Sequence, residues 1–182
     1  MQNILRYFIA GCLACGLAAT PLHVRADDNK EYLVKAAFIY NFVKFVEWPD
    51  GKAISKQSNI DICVVGNSPL SETGNVFKAA STAKLTLSLV NERNWSNAHN
   101  HCHIVFISAS EEDKLSEILA AMKGQPVLMV SDIDNFAAKG GMIGFVTNDN
   151  KIKIVINAKA ISTAGLRVDA QLLEIALKVI DK

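Results

Sequence analysis

Three short apolar runs set the frame for this chain: Ile60–Gly66, His103–Ser108 and Val127–Val130. None of them alternates apolar with polar residues as a half-solvated strand does. Each is too short for a buried helix, so they predict strands covered on both faces, the environment of a parallel sheet between helical layers. Leu85, Leu87 and Leu89 alternate with Thr86 and Ser88, which predicts a fourth strand with one wetter face. Helical spacing fills the intervals. Leu115, Ile118, Leu119 and Met122 recur at three- and four-residue steps behind Ser110–Asp113, a capping-box pattern, and Gly124 closes that helix. A short helix is expected around Asn135–Lys139.

The longest helical signal runs from Asp28 to Trp48, with Asp27 and Asp28 as caps and Pro49 as the stop. Ile39, Phe42, Val43 and Val46 share one face, while Asn41, Lys44 and Glu47 form the opposite stripe. Met142–Thr147 and Ile152–Ile156 flank Asn148-Asp149-Asn150, the signature of an antiparallel hairpin. Two further helices are expected, near Ala158–Ala164 and over Asp169–Ile180, separated by Gly165. The predicted fold class is therefore α/β: three layers, a mainly parallel sheet with helices on both faces, and a C-terminal antiparallel hairpin at one edge.

The N-terminus reads as an export signal rather than as part of that fold. Arg6 precedes an apolar run over Tyr7–Ala19, Pro21 breaks it, and Val24-Arg25-Ala26 places small side chains where a signal peptidase reads them. The domain reading is a signal peptide over residues 1–26 and one domain over 27–182. Ile9-Ala10-Gly11-Cys12 is a competing lipoprotein box that would leave a lipidated Cys12. Losing residues 1–26 removes two arginines and no acid from a chain of net charge +1, so the mature protein is near neutral. That balance gives no electrostatic reason to expect nucleic acid or anionic lipid as a partner.

Export also sets the redox chemistry. Cys12 and Cys15 leave with the signal, and the two remaining cysteines, Cys63 and Cys102, are expected to pair in an oxidising compartment. Cys63 lies in the first apolar strand and Cys102 at the entry to the third, neighbours in a flavodoxin-like order.

Segments along the chain resemble one family. Lys35–Pro49 (KAAFIYNFVKFVEWP), Ile62–Gly66 (ICVVG), Cys102–Ser108 (CHIVFIS), Val130–Val146 (VSDIDNFAAKGGMIGFV) and Ile154–Ala176 are similar to motifs of the YfiR family of periplasmic regulators, in the same order. The resemblance implies a periplasmic repressor of an inner-membrane diguanylate cyclase, lowering cyclic di-GMP and biofilm matrix. It also implies an OmpA-like outer-membrane lipoprotein that can sequester the repressor; a homodimer is left open. The family's well-known form carries a second cysteine pair in the segment aligned with Ala137–Gly144. This chain has no cysteine there, so a redox role assigned to that pair does not carry over.

Several individual residues carry candidate chemistry. Lys35 points into the apolar face of the first helix, which requires either a bound anion or a partner such as Glu31, or a side chain that snorkels out past Ile39. His99, His101, Cys102 and His103 crowd together, and alternation would put His101 and His103 on one face. With Cys102 committed to a bridge, no metal site and no cofactor are expected. Gly140-Gly141 precedes a strand, so it reads as a turn and not as a phosphate cradle. Gly66-Asn67-Ser68-Pro69 follows a strand but lacks the glycine pattern and lysine of a phosphate loop. Arg167, before the last helix, is the best ligand-facing candidate, against a bland pairing with Asp169. Ile161 and Leu166 are the candidate partner-binding apolar residues. The sequence contains no GxSxG, HExxH or Walker loop, and no catalytic residue is nominated.

Overall fold

The computed structural model describes residues 24–49, 58–92 and 95–181. The expected signal segment up to residue 23, with Cys12 and Cys15, lies outside these residues. The first helix, α1 (Val24–Phe45), extends back past the expected caps Asp27 and Asp28. Its inward face is the one the spacing predicts: Ala36, Ile39, Phe42 and Val43 are buried, followed by Val46 just beyond the helix. Val46–Glu47 forms a two-residue strand, β1, as the backbone turns extended ahead of Pro49.

The parallel core begins with β2 (Ser58–Val65), followed by a 3₁₀ turn at Pro69–Glu72, α2 (Gly74–Ala80) and β3 (Leu85–Glu92). Then come α3 (Trp95–His101) and β4 (Ile104–Ile107), a 3₁₀ segment over Ala109–Lys114, α4 (Leu115–Met122) and β5 (Leu128–Ser131). Ser108, rather than Ser110, caps the 3₁₀ segment, its hydroxyl accepting from the Ser110 N–H. The short helix expected around Asn135–Lys139 is absent, and residues 134–140 form successive turns instead. Asn135 sits at φ 57° and Gly140 at φ 104°, conformations an α-helix excludes.

The hairpin is β6 (Ile143–Asn148) and β7 (Lys151–Asn157). Its two-residue turn, Asp149-Asn150, has both residues at positive φ, 50° and 56°, the primed geometry that matches strand twist. The chain continues through α5 (Ala158–Thr163), β8 (Arg167–Val168), α6 (Ala170–Glu174) and β9 (Lys178–Ile180). The helix expected over Asp169–Ile180 therefore stops at Glu174. Its apolar tail contributes a strand because β7 offers an open edge, and β9 pairs there in parallel.

The sheet order is β3-β2-β4-β5-β6-β7-β9, with β1 and β8 forming a separate antiparallel pair. β2 to β6 run in one direction, and β7 and β9 in the other. From β2 the chain steps outward to β3, whereas from β4 it steps the opposite way to β5. Right-handed crossovers then place α2 and α4 on opposite faces. The helices sort accordingly, α1 against α2 and α3 against α4. The fold is the expected three-layer α/β sandwich, with the hairpin towards one edge and β9 added outside it.

The β4 and β5 side chains are buried without exception, which explains their continuous apolar runs. An aromatic cluster ties α1 to the sheet. Phe42 stacks on Phe145 at 6.2 Å between centroids, and Phe38 meets Phe145 edge-on at 5.9 Å. Burying a phenylalanine such as Phe42 contributes about 2–3 kcal/mol.

Candidate functional site

Three places among the described residues hold the side chains singled out from the sequence. The first lies at the carboxyl end of β5, where ligands of open α/β sheets commonly bind. Asp132 follows β5 directly and faces α1. Lys35 is only 3% exposed, and its Nζ lies 2.6 Å from Glu31 Oε1 and 2.7 Å from Asp132 Oδ2. The Tyr32 hydroxyl donates to the same Asp132 oxygen at 2.8 Å, and the Tyr32 ring lies 4.1 Å from Nζ. The ammonium is thus neither a snorkelling group nor an open anion site. It pairs with Glu31, as the helical spacing allows, and with Asp132, which sequence reasoning did not find.

Burial alone would depress the Lys35 pKa, but Asp132 and Glu31 outweigh it and the net shift is upward. Tyr32 is also raised, by desolvation first and then by its hydrogen bond to Asp132. The cluster borders a cleft of about 420 Å³ that Asp134, Thr147 and Ile152 also line.

The second place is the cysteine pair. Cys63 and Cys102 form a disulfide with Cα atoms 5.9 Å apart, inside the roughly 4.4–6.8 Å that bridges require. Both are fully buried. His101 is the last residue of α3, so the strand alternation expected to pair it with His103 does not govern it. His103 Nδ1 instead accepts the Asp61 N–H at 3.3 Å. His101, 45% exposed, has its Nε2 3.2 Å from Glu92 Oε2.

The third is the β1–β8 ribbon, where Glu47 lies opposite Arg167. Arg167 Nε and Nη2 both donate to Glu47 Oε2, at 2.9 and 2.6 Å. Asp169, the partner expected from sequence, caps α6 instead, its Oδ1 accepting from the Gln171 N–H at 2.8 Å. Arg167 remains 83% exposed, so this pair contributes little to stability. Ile161 and Leu166 require a correction as partner-binding residues. They are 2% and 1% exposed and belong to the hydrophobic core, Ile161 from within α5 and Leu166 from just past the Gly165 turn that ends it. The exposed large apolar side chains of the C-terminal region are Ile175, Leu177 and Val179.

The two glycine motifs have structural explanations. A Cβ on Gly141 would lie 2.2 Å from the Phe136 ring, so the Gly140-Gly141 turn needs its small residue for packing. The loop after β2 is tied to the loop after β4: Ser108 Oγ donates to Asn67 O at 2.6 Å, and Asn67 N–H donates to Ser110 Oγ at 2.9 Å.

The sequence profile of the YfiR/HmsC-like family matches residues 32–177, most of the chain. The chain belongs to the YfiR/HmsC-like family. No curated protein matches it. Among solved structures, it is similar to the ABC domain of a Streptococcus pneumonia protein in complex with L-Trp, at TM-score 0.54 and 14% identity over 78% of this chain. It is also similar to a conserved domain protein of Vibrio cholerae, at TM-score 0.52 and 10% identity over 81% of this chain. The chain spans 59% and 60% of those two proteins, and at such identities the likeness shows the α/β fold alone. The matched residues include the Lys35–Asp132 pair, the disulfide and the β1–β8 ribbon.

Proposed function

We propose that this chain is an exported periplasmic regulator that binds the periplasmic part of an inner-membrane diguanylate cyclase and represses it, lowering cyclic di-GMP and biofilm matrix. The family match over residues 32–177 carries this reading. The export-type N-terminus and the disulfide are in keeping with an oxidising compartment. On this reading the protein acts by binding and not by turnover. Sequestration by an OmpA-like lipoprotein is part of this reading on the family resemblance alone, a homodimer is left open, and the test requires neither. Deleting the gene in a strain that expresses the cyclase should raise cyclic di-GMP and matrix production. The cyclase should also be captured when the tagged protein is cross-linked at the membrane. Unchanged cyclic di-GMP together with no captured cyclase would overturn the proposal.

A small-anion sensor built on Arg167 is the second reading. The solved structure of the Streptococcus pneumonia ABC domain contains L-Trp, so a related fold does hold a small carboxylate. Here the Arg167 guanidinium is engaged by Glu47, and an anion would have to displace that carboxylate. Thermal-shift titration with small carboxylates separates the readings. A saturable rise in melting temperature that is lost in Arg167→Gln selects the sensor.

A further inference from the structure

We propose that the buried disulfide masks a metal site: in the reduced protein Cys63, Cys102 and His101 bind one zinc ion, with Glu92 on the imidazole. The ligand atoms of Cys63, His101 and Cys102 all lie within 4.8 Å of one another. In a tetrahedral zinc site, with bonds of about 2.1–2.3 Å, neighbouring ligand atoms stand roughly 3.5–3.8 Å apart. The two sulfurs therefore need only separate from bonding distance, and His101 already stands within reach of both. Two thiolates and a neutral imidazole form a soft donor set that suits zinc, and two thiolates cancel its charge.

The surroundings support such a site, with water taking the fourth position. Glu92 lies 3.2 Å from His101 Nε2, and a carboxylate on a ligating imidazole fixes its orientation and raises its basicity. The cysteines are fully buried while the His101 side chain is 45% exposed, so His101 is the vertex through which the ion and solvent reach the site. The parts come from separate elements: Cys63 from β2, Glu92 from the end of β3, His101 from the end of α3, and Cys102 from the residue just after it. Only the folded sheet brings them together.

The chemistry balances with a dithiol as the reductant. The dithiol gives up two electrons and two protons and becomes its own disulfide, while the Cys63–Cys102 bond is converted to two thiols. Zinc binding then releases those two protons to water. Oxidation and zinc compete for the same sulfurs, so the oxidised protein holds no metal there. This inference is independent of the cyclase reading.

The test uses the mature protein, oxidised or reduced with dithiothreitol and desalted without oxygen. Zinc is titrated against a chromophoric chelator, and cobalt(II) serves as a spectroscopic probe. Reduced protein should take up one zinc per chain, and its cobalt form should show thiolate-to-metal charge transfer with the visible bands of a tetrahedral ion. Oxidised protein should show neither. His101→Ala should weaken binding at least tenfold, and Glu92→Gln about tenfold. Equal zinc binding by oxidised and reduced protein, or binding indifferent to His101→Ala, would overturn the assignment. Should reduction loosen the fold, zinc is expected to restore the near-ultraviolet circular dichroism of the native protein; failure to restore it also overturns the assignment.

Discussion

Lys35 shows how one buried charge is made tolerable. An ammonium taken out of water costs several kcal/mol unless its surroundings replace the lost hydration. Here two carboxylates and a tyrosine ring do so. Replacing Lys35 alone leaves Asp132 buried opposite an apolar side chain. Lys35→Met should therefore destabilise the protein by about 3–5 kcal/mol in denaturant titration, whereas Lys35→Met combined with Asp132→Leu should recover most of that loss. If the double variant proves as unstable as the single one, charge pairing is not what the site provides.

The same cluster makes stability depend on pH in the alkaline range. Lys35 and Tyr32 both have folded pKa values above their ordinary 10.5 and 10.0, so the folded state holds these protons more tightly than the unfolded chain does. Their contribution is fully present below about pH 10 and is lost as pH rises through the raised values. Melting temperature followed from pH 8 to pH 12 should fall more steeply in the native protein than in the Lys35→Met/Asp132→Leu/Tyr32→Phe variant, which lacks both protons. The pairing of Lys35 with Glu31 was legible from helical spacing. Asp132 was not, because the two residues are 97 positions apart and meet only when α1 crosses the end of β5.

At the scale of elements, the hairpin and the disulfide differ in what they constrain. The hairpin is local, and its register follows from a two-residue turn with both φ values positive. Asparagine tolerates that conformation but glycine does so freely. Asn150→Gly should therefore raise stability, by up to about 1 kcal/mol, measured as an increase in denaturation midpoint. The disulfide instead links β2 to the entry of β4 across 39 residues. In the chain-entropy model a loop of that size contributes about 4 kcal/mol, so the Cys63→Ala/Cys102→Ala variant should be destabilised by roughly that amount in the absence of metal. The last helix illustrates the opposite case. Leu172, Ile175, Ala176, Val179 and Ile180 have helical spacing, yet the chain leaves the helix after Glu174. Hydrogen bonding to the free edge of β7 outweighs helical propensity that is weak over so short a segment.

For the whole molecule, the expected cut after Ala26 falls within the first turn of α1, ahead of the contacts described for it from Glu31 onward. Protein beginning at Asp27 should therefore melt within about 1 °C of protein beginning at Val24, since the first turn of a helix frays and contributes little. Mass spectrometry of material from the periplasm should give Asp27 as the first residue. A different first residue would revise the processing site without touching the sheet.

The sequence by itself determined the α/β class, the parallel strands, the amphipathic face of α1, the hairpin turn and the cysteine pairing. Each of these rests on patterns that repeat over a few residues or on a count of two thiols. Tertiary structure alone decided that Asp132 meets Lys35, that Glu47 rather than Asp169 takes Arg167, and that Ile161 and Leu166 face inward. It also decided that β9 closes the sheet and that His101 stands beside the disulfide. These depend on which distant segments the sheet order makes neighbours, and no local periodicity encodes that order. An apolar or charged side chain reads the same in sequence whether its partner is water, a ligand or a residue a hundred positions away.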